Sequence, residues 1–150
     1  MIKLLICLIV SVTICYAQTE NVQSNVTVSY TLWIGSYLKL IHNINVSAPK
    51  NTSFYEVMQL AAEQNCHYKF QAKEYDIGHY ITEIGGWREI PSLRYHWMIY
   101  KIPALPNPWK PPTDDYLTPV GVDQIYVDDG EYYLFWYHKL KKWNSDNEEV

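Results

Sequence analysis

Five histidines, sixteen acidic residues and three cysteines are the groups in this chain that could hold a metal or move a proton. His42, His67, His79, His96 and His138 fall in different segments, with no H-E-x-x-H or C-x-x-C spacing, so no metal site can be read from them. His79 and His96 are the pair to watch, because both flank the most aromatic part of the chain. G-x-S-x-G, the P-loop and the dinucleotide glycine fingerprint are all absent, and Gly78 and Gly85-Gly86 lack the spacing. Asp114-Asp115 and Asp128-Asp129 stand beside Pro or Gly, where turn initiation and solvation explain them; further oxygen ligands for Ca²⁺ are missing at short range. Nothing here supports catalysis, so the expectation is a protein that is not an enzyme.

The remaining signal is aromatic: 14 Tyr and 6 Trp. Tyr and Trp suit ligand walls and interfaces because each joins a large apolar body to one polar atom. Tyr80, Tyr95, Trp97, Trp109 and Trp136 could wall a groove, with Gly78 and Gly85-Gly86 letting main-chain groups reach a ligand. The plainer account is that these rings fill a core that has no disulfide, and residue by residue it explains more.

The elements that must position them follow from periodicity. Arg94–Lys101 reads as a central strand, apolar on both faces, with Tyr95, Trp97 and Ile99 on one side and His96, Met98 and Tyr100 on the other. Upstream, Asn25–Ile34 alternates with period two, turns at Gly35-Ser36 and returns over Tyr37–Val46. Ser53 and Glu56 have the spacing of a capping box, which predicts a helix ending near Asn65-Cys66 with Phe54, Val57, Met58, Ala61 and Ala62 near one face. His67–Tyr75 and His79–Ile84 read as strands around the turn Asp76-Ile77-Gly78. The proline-rich stretch from Pro103 to Pro119 is expected to be ordered, extended and pinned by the Trp109 indole. Asp128-Asp129-Gly130 then turns the chain into a last aromatic strand, Glu131–Tyr137. The fold class is α+β: a twisted mixed or antiparallel sheet with one helix packed across it, in the manner of a β-grasp.

At 150 residues, 48% hydrophobic and 19% charged, the chain allows one domain with a substantial core. A net charge of -4, with Lys139–Lys142 as the only basic block, argues against nucleic acid. Met1–Ala17 has the charged start, apolar middle and small-x-small end of a secretory signal peptide, and no later apolar run is long enough to span a membrane. Secretion is therefore expected, with a domain over 18–140 and a charged tail over 141–150. The sequons at Asn25, Asn45 and Asn51 agree with that route as glycosylation sites. Cys7 and Cys15 leave with the signal peptide, so Cys66 has no internal partner and is expected to be a small buried hydrophobe.

Thr27–Thr31, Ser53–Met58, Tyr68-Lys69-Phe70, Gly78 with Ile81, Tyr95-His96-Trp97 and Gly121–Glu131 occur in the order seen in the C-terminal β-domain of vitamin B12 carriers. Over Thr27 to about Tyr137 the chain resembles that transcobalamin and intrinsic factor module, also met as a stand-alone domain of unknown function (DUF4430). In those carriers a helical barrel and the β-domain close on cobalamin from opposite sides. The resemblance implies a non-enzymatic module with cobalamin or another corrinoid as candidate ligand and no required cofactor. It implies that the ligand is met by Trp97, Tyr95 and the hairpin residues Gly78, His79, Tyr80 and Ile81. No helical barrel is present here, so a separate helical-barrel cobalamin-binding protein is a candidate partner. The alternative is an extracellular interaction or structural domain that has kept the fold without the ligand. The chain departs from the carriers in its proline-rich 107–119 insertion and in having Met98 after the tryptophan, where they place an amide residue.

Overall fold

The structure is a computed structural model and describes residues 24–141. The leader expected over Met1–Ala17 and the charged tail beyond Lys141 lie outside the described residues. Strand β1 (Asn25–Ile34) buries Val26, Val28, Tyr30, Leu32 and Ile34 on one face. Gly35, with φ of 89°, begins the return, but the hairpin is longer than Gly35-Ser36 predicts. Leu38 takes a left-handed φ of 48°, so Tyr37–Lys39 belong to the turn and β2 runs from Leu40 to Pro49, paired from Ile34↔Leu40 onward.

Helix α1 (Phe54–Gln64) starts at the expected capping box: Glu56 N–H donates to Ser53 Oγ, and Ser53 N–H donates to Glu56 Oε2 at 2.9 Å. The N–H groups that a helix start leaves unpaired are met by another part of the chain as well. Phe54 N–H donates to Ile125 O at 2.7 Å and Tyr55 N–H to Val122 O at 3.1 Å, which fixes the 122–125 segment against the helix. Phe54, Val57, Met58 and Ala61 are buried, and the Phe54 ring packs on Tyr30, Tyr133 and Phe135.

Cys66–Tyr68 form a short 3-10 turn where a strand was expected to begin, and Cys66 is exposed, not buried. Strand β3 (Phe70–Tyr75) then pairs with β4 (Gly78–Ile84), and β4 with the two-residue β5 (Trp87–Arg88). These make a separate antiparallel sheet, so the sequence expectation of a single sheet is corrected to two. The other sheet contains β6 (Tyr95–Ile102) and β7 (Tyr132–Lys139) in the order β2-β1-β7-β6, with β1 and β7 parallel and the remaining pairs antiparallel.

The strand expected at the centre, β6, is therefore at an edge, and β1 and β7 are the inner strands. The faces of β6 are as predicted. Tyr95, Trp97 and Ile99 join the main core with α1, while Met98 and Tyr100 join a smaller cluster with Trp33, Ile102, Leu134 and Trp136 on the far side of the sheet. The proline-rich segment is ordered, with a 3-10 turn at Asp114–Tyr116 and a bridge from Leu117 to Tyr100. Trp109, expected to pin it, is 93% exposed.

The Asp128–Glu131 turn joins β7 to β1. Thr27 N–H donates to Asp129 Oδ1, Gly130 N–H to Thr27 O and Ser29 N–H to Glu131 O. Glu131 also accepts from Tyr133 and pairs with Lys101. Burial pushes Glu131 upward, and these donors outweigh it, holding the carboxyl below its usual value.

Candidate functional site

The outer edge of β6 is covered unevenly, and that unevenness defines the site. Main-chain groups of alternate residues on an edge strand point away from the sheet. On β6 these are the odd-numbered residues. Tyr95 exchanges two bonds with Ile90, Trp97 N–H donates to Glu89 Oε1 at 2.8 Å, and Ile99 O accepts from Thr118 N–H at 3.1 Å. Between these bonds, the Trp97 C=O and the Ile99 N–H point the same way and meet no hydrogen-bond partner among the described residues.

A cleft of about 300 Å³ opens at that gap. Its walls are His79, Tyr80 and Ile81 of β4, His96–Ile99 of β6, and Leu117, Thr118, Val120, Gly121 and Val122 at and just beyond the end of the proline-rich stretch. The insertion does not lie over the cleft as a lid. Its end forms the third wall.

Two carboxylates hold residues of the cleft walls. Asp123 accepts from the His79 main-chain N–H at 2.7 Å and from the His79 ring at 2.8 Å, and the ring's face lies on Tyr55 at 3.9 Å. Burial raises Asp123, but the His79 donors prevail and hold it below the usual carboxylate value. Gly78 makes this contact feasible: with φ of 116°, it would place a Cβ 2.7 Å from Asp123 Oδ2. Glu89, whose side chain is nearly sealed from solvent, accepts from Trp97 N–H and from Tyr80 O–H at 2.6 Å, and stands 3.4 Å from the His96 ring. Desolvation of Tyr80, and then its bond to Glu89, push the phenol well above its ordinary value.

The predicted site residues divide. His79, Tyr80, Ile81 and Trp97 line one cleft, and His96 joins them. Gly78 positions the Asp123 carboxylate at the cleft's flank. Tyr95 is half-buried and stacks on Tyr137, outside the cleft lining. The role expected of Trp97 is corrected: its ring is 6% exposed, packs against Tyr137 and Phe135, and donates its indole N–H to Trp87 O at 2.8 Å. The indole is a core group, and the open hydrogen-bonding atom of this residue is its carbonyl. Trp109 and Trp136 lie elsewhere, so the five aromatics do not form one groove.

Sequence reasoning missed Glu89, Asp123 and Thr118. Each acts from a loop on a strand outside its own element, Asp123 from 44 residues away, and no local periodicity marks such a residue. Asp123 lies within the stretch that carries the family resemblance, which was the one signal available. The candidate glycosylation residues Asn25, Asn45 and Asn51 are all exposed on the β1–β2 side, across the sheet from the cleft.

The architecture is the α+β fold found in the β-domain of cobalamin carriers. In particular, it is similar to haptocorrin solved in complex with Cbi, with a TM-score of 0.65 and 22% identity over 81% of this chain and 27% of that one. A Ruminococcus gnavus protein described as a candidate metal binder shares the fold more loosely, at a TM-score of 0.50 and 13% identity, over 77% of this chain and 99% of that one. In sequence, the chain is 40% identical over 121 residues to the uncharacterized Drosophila melanogaster protein CG3556, which covers 81% of this chain and 20% of the fly protein. The chain thus spans about a fifth of that relative and about a quarter of haptocorrin. No family model matches the chain, the DUF4430 likeness included.

Proposed function

We propose that this chain is a secreted, non-enzymatic binding module that takes a corrinoid of the cobalamin class at the β6 edge. The observation that carries this reading is the pair of unpaired main-chain groups, Trp97 C=O and Ile99 N–H, on residues that line a mostly apolar cleft. One acceptor and one donor aimed the same way match a carboxamide, which offers both. Cobalamin carries such amides around its macrocycle. A cleft of about 300 Å³ takes one amide arm while the macrocycle rests on the exposed rim near Tyr80 and Val120. Likeness of fold to haptocorrin, which was solved with Cbi, supports the same ligand class.

A module contacting one side of a large ligand leaves much of it hydrated, so affinity is modest unless a second protein covers the other side. A separate helical-barrel protein is the partner this reading implies. Among the described residues, no helix is long and apolar enough to cross a membrane.

Titration of purified protein with cobalamin, followed by absorption and tryptophan fluorescence, tests the reading. A saturable change is expected, weakened at least tenfold by Val120→Glu, which places a charge at the exposed apolar rim. No saturable change up to high micromolar cobalamin would remove the proposal. A second reading, contact with another extracellular protein, is favoured by Ile77, 82% exposed at the tip of the β3–β4 hairpin beside exposed Tyr75. It expects Ile77→Asp to abolish recovery of a partner from the source fluid while leaving cobalamin titration unaffected.

A further inference from the structure

Beside the cleft, over the outer face of β6 and β7, lies a second and larger cavity, of about 640 Å³. Met98, Leu140 and Leu117, the last bridged to Tyr100, line both. The floor of this cavity is the outer face of two neighbouring strands, where Met98 and Tyr100 of β6 lie beside Trp136 and His138 of β7. Trp136 is half-buried, with its face on the His138 ring at 4.1 Å and the Trp33 ring edge-on at 5.4 Å. Tyr100 and His138 meet at 3.3 Å, a long contact that a ligand can compete with.

The wall is Pro112–Asp114 of the proline-rich insertion, and Asp114 brings a carboxylate to an otherwise neutral floor. Burial lowers His138 and raises Tyr100 to about 12, each in the direction of its neutral form. Electron-rich ring faces attract an organic cation, more so when partly desolvated, and a carboxylate beside them adds the opposite charge. We propose that this cavity binds a small organic ammonium compound, its cationic head on the Trp136–His138 floor and against Asp114.

The lysines at the end of the cavity refine the ligand. Lys139 and Lys141 both line this cavity, and either can meet an acidic group on the same molecule.

Calorimetric titration of the whole protein with choline, phosphocholine and inorganic phosphate tests this. Choline and phosphocholine are expected to bind and phosphate alone to give no saturable heat. Asp114→Asn, an exposed loop change that leaves the melting temperature in place, weakens choline binding roughly tenfold, as loss of a charge-assisted contact does. Absence of saturable heat with choline up to tens of millimolar overturns the proposal. So does equal affinity in Asp114→Asn, or binding of phosphate with choline silent. Cobalamin titration is unaffected by Asp114→Asn, so failure at one cavity is distinguishable from failure at the other.

Discussion

The Trp97 indole makes three kinds of core contact: burial, ring packing and a hydrogen bond to Trp87 O. Trp97→Ala is therefore expected to cost about 3–5 kcal/mol of stability, the usual range for emptying a buried aromatic site. Denaturant unfolding measures it, and a change under about 1 kcal/mol would place the ring at the surface and not in the core. Glycines give a sharper contrast. At Gly78 the positive φ and the Asp123 oxygen both exclude a side chain, whereas at Gly86 the φ of 84° meets open space. Left-handed backbone alone costs an L-residue about 1–2 kcal/mol. Gly86→Ala should lose about that much and Gly78→Ala clearly more, because there the Asp123–His79 bonds are displaced too; melting temperatures of the two variants decide it.

At the scale of elements, the main surprise is which strands are inner. Ser29 and Thr31 on β1 look like solvent-facing positions in an alternating strand, yet both are buried. Their hydroxyls accept from the Asn43 side-chain amide, each at 2.8 Å, which makes small polar residues compatible with a covered face. Asn43→Ala is expected to cost about 1–2 kcal/mol by leaving two buried hydroxyls short of a partner, measurable by urea unfolding. Conversely, β6 is apolar on both faces because it belongs to two clusters, one with α1 and one beneath the insertion. Double-faced apolarity thus reports two covered faces and is silent on whether the edge has a neighbouring strand. That silence hid the cleft, since its hydrogen-bonding groups are main-chain and every residue carries them.

For the whole molecule, acid should lower stability in two pH ranges. Burial lowers His42, with the stacked His67 adding repulsion, and burial also lowers His138. A base with a depressed folded pKa is protonated first in the unfolded chain. Its stabilising contribution is complete above the unfolded value of 6.5 and is lost as pH falls through the folded one. Asp123 and Glu131, held below 3.8 and 4.5, keep their contribution above those values and lose it only at lower pH. Urea midpoints should therefore fall between pH 7.5 and 5.5 and again below about pH 4. A flat profile down to pH 5 would mean that these two histidines are not held below their ordinary value.

The sequence alone determined the local features: the capping box at Ser53 and Glu56, the alternation of β1, the two faces of β6, and the α+β class. These depend on neighbours within a few residues, where backbone geometry repeats with a fixed period and a pattern of side chains can be read directly. Tertiary structure alone decided that β6 is an edge strand, that Asp123 and Glu89 come to His79 and His96, and that the open groups of the site are the Trp97 carbonyl and the Ile99 amide. Strand order and unpaired main-chain atoms arise from long-range pairing between segments, and no side-chain spacing encodes an atom that every residue possesses.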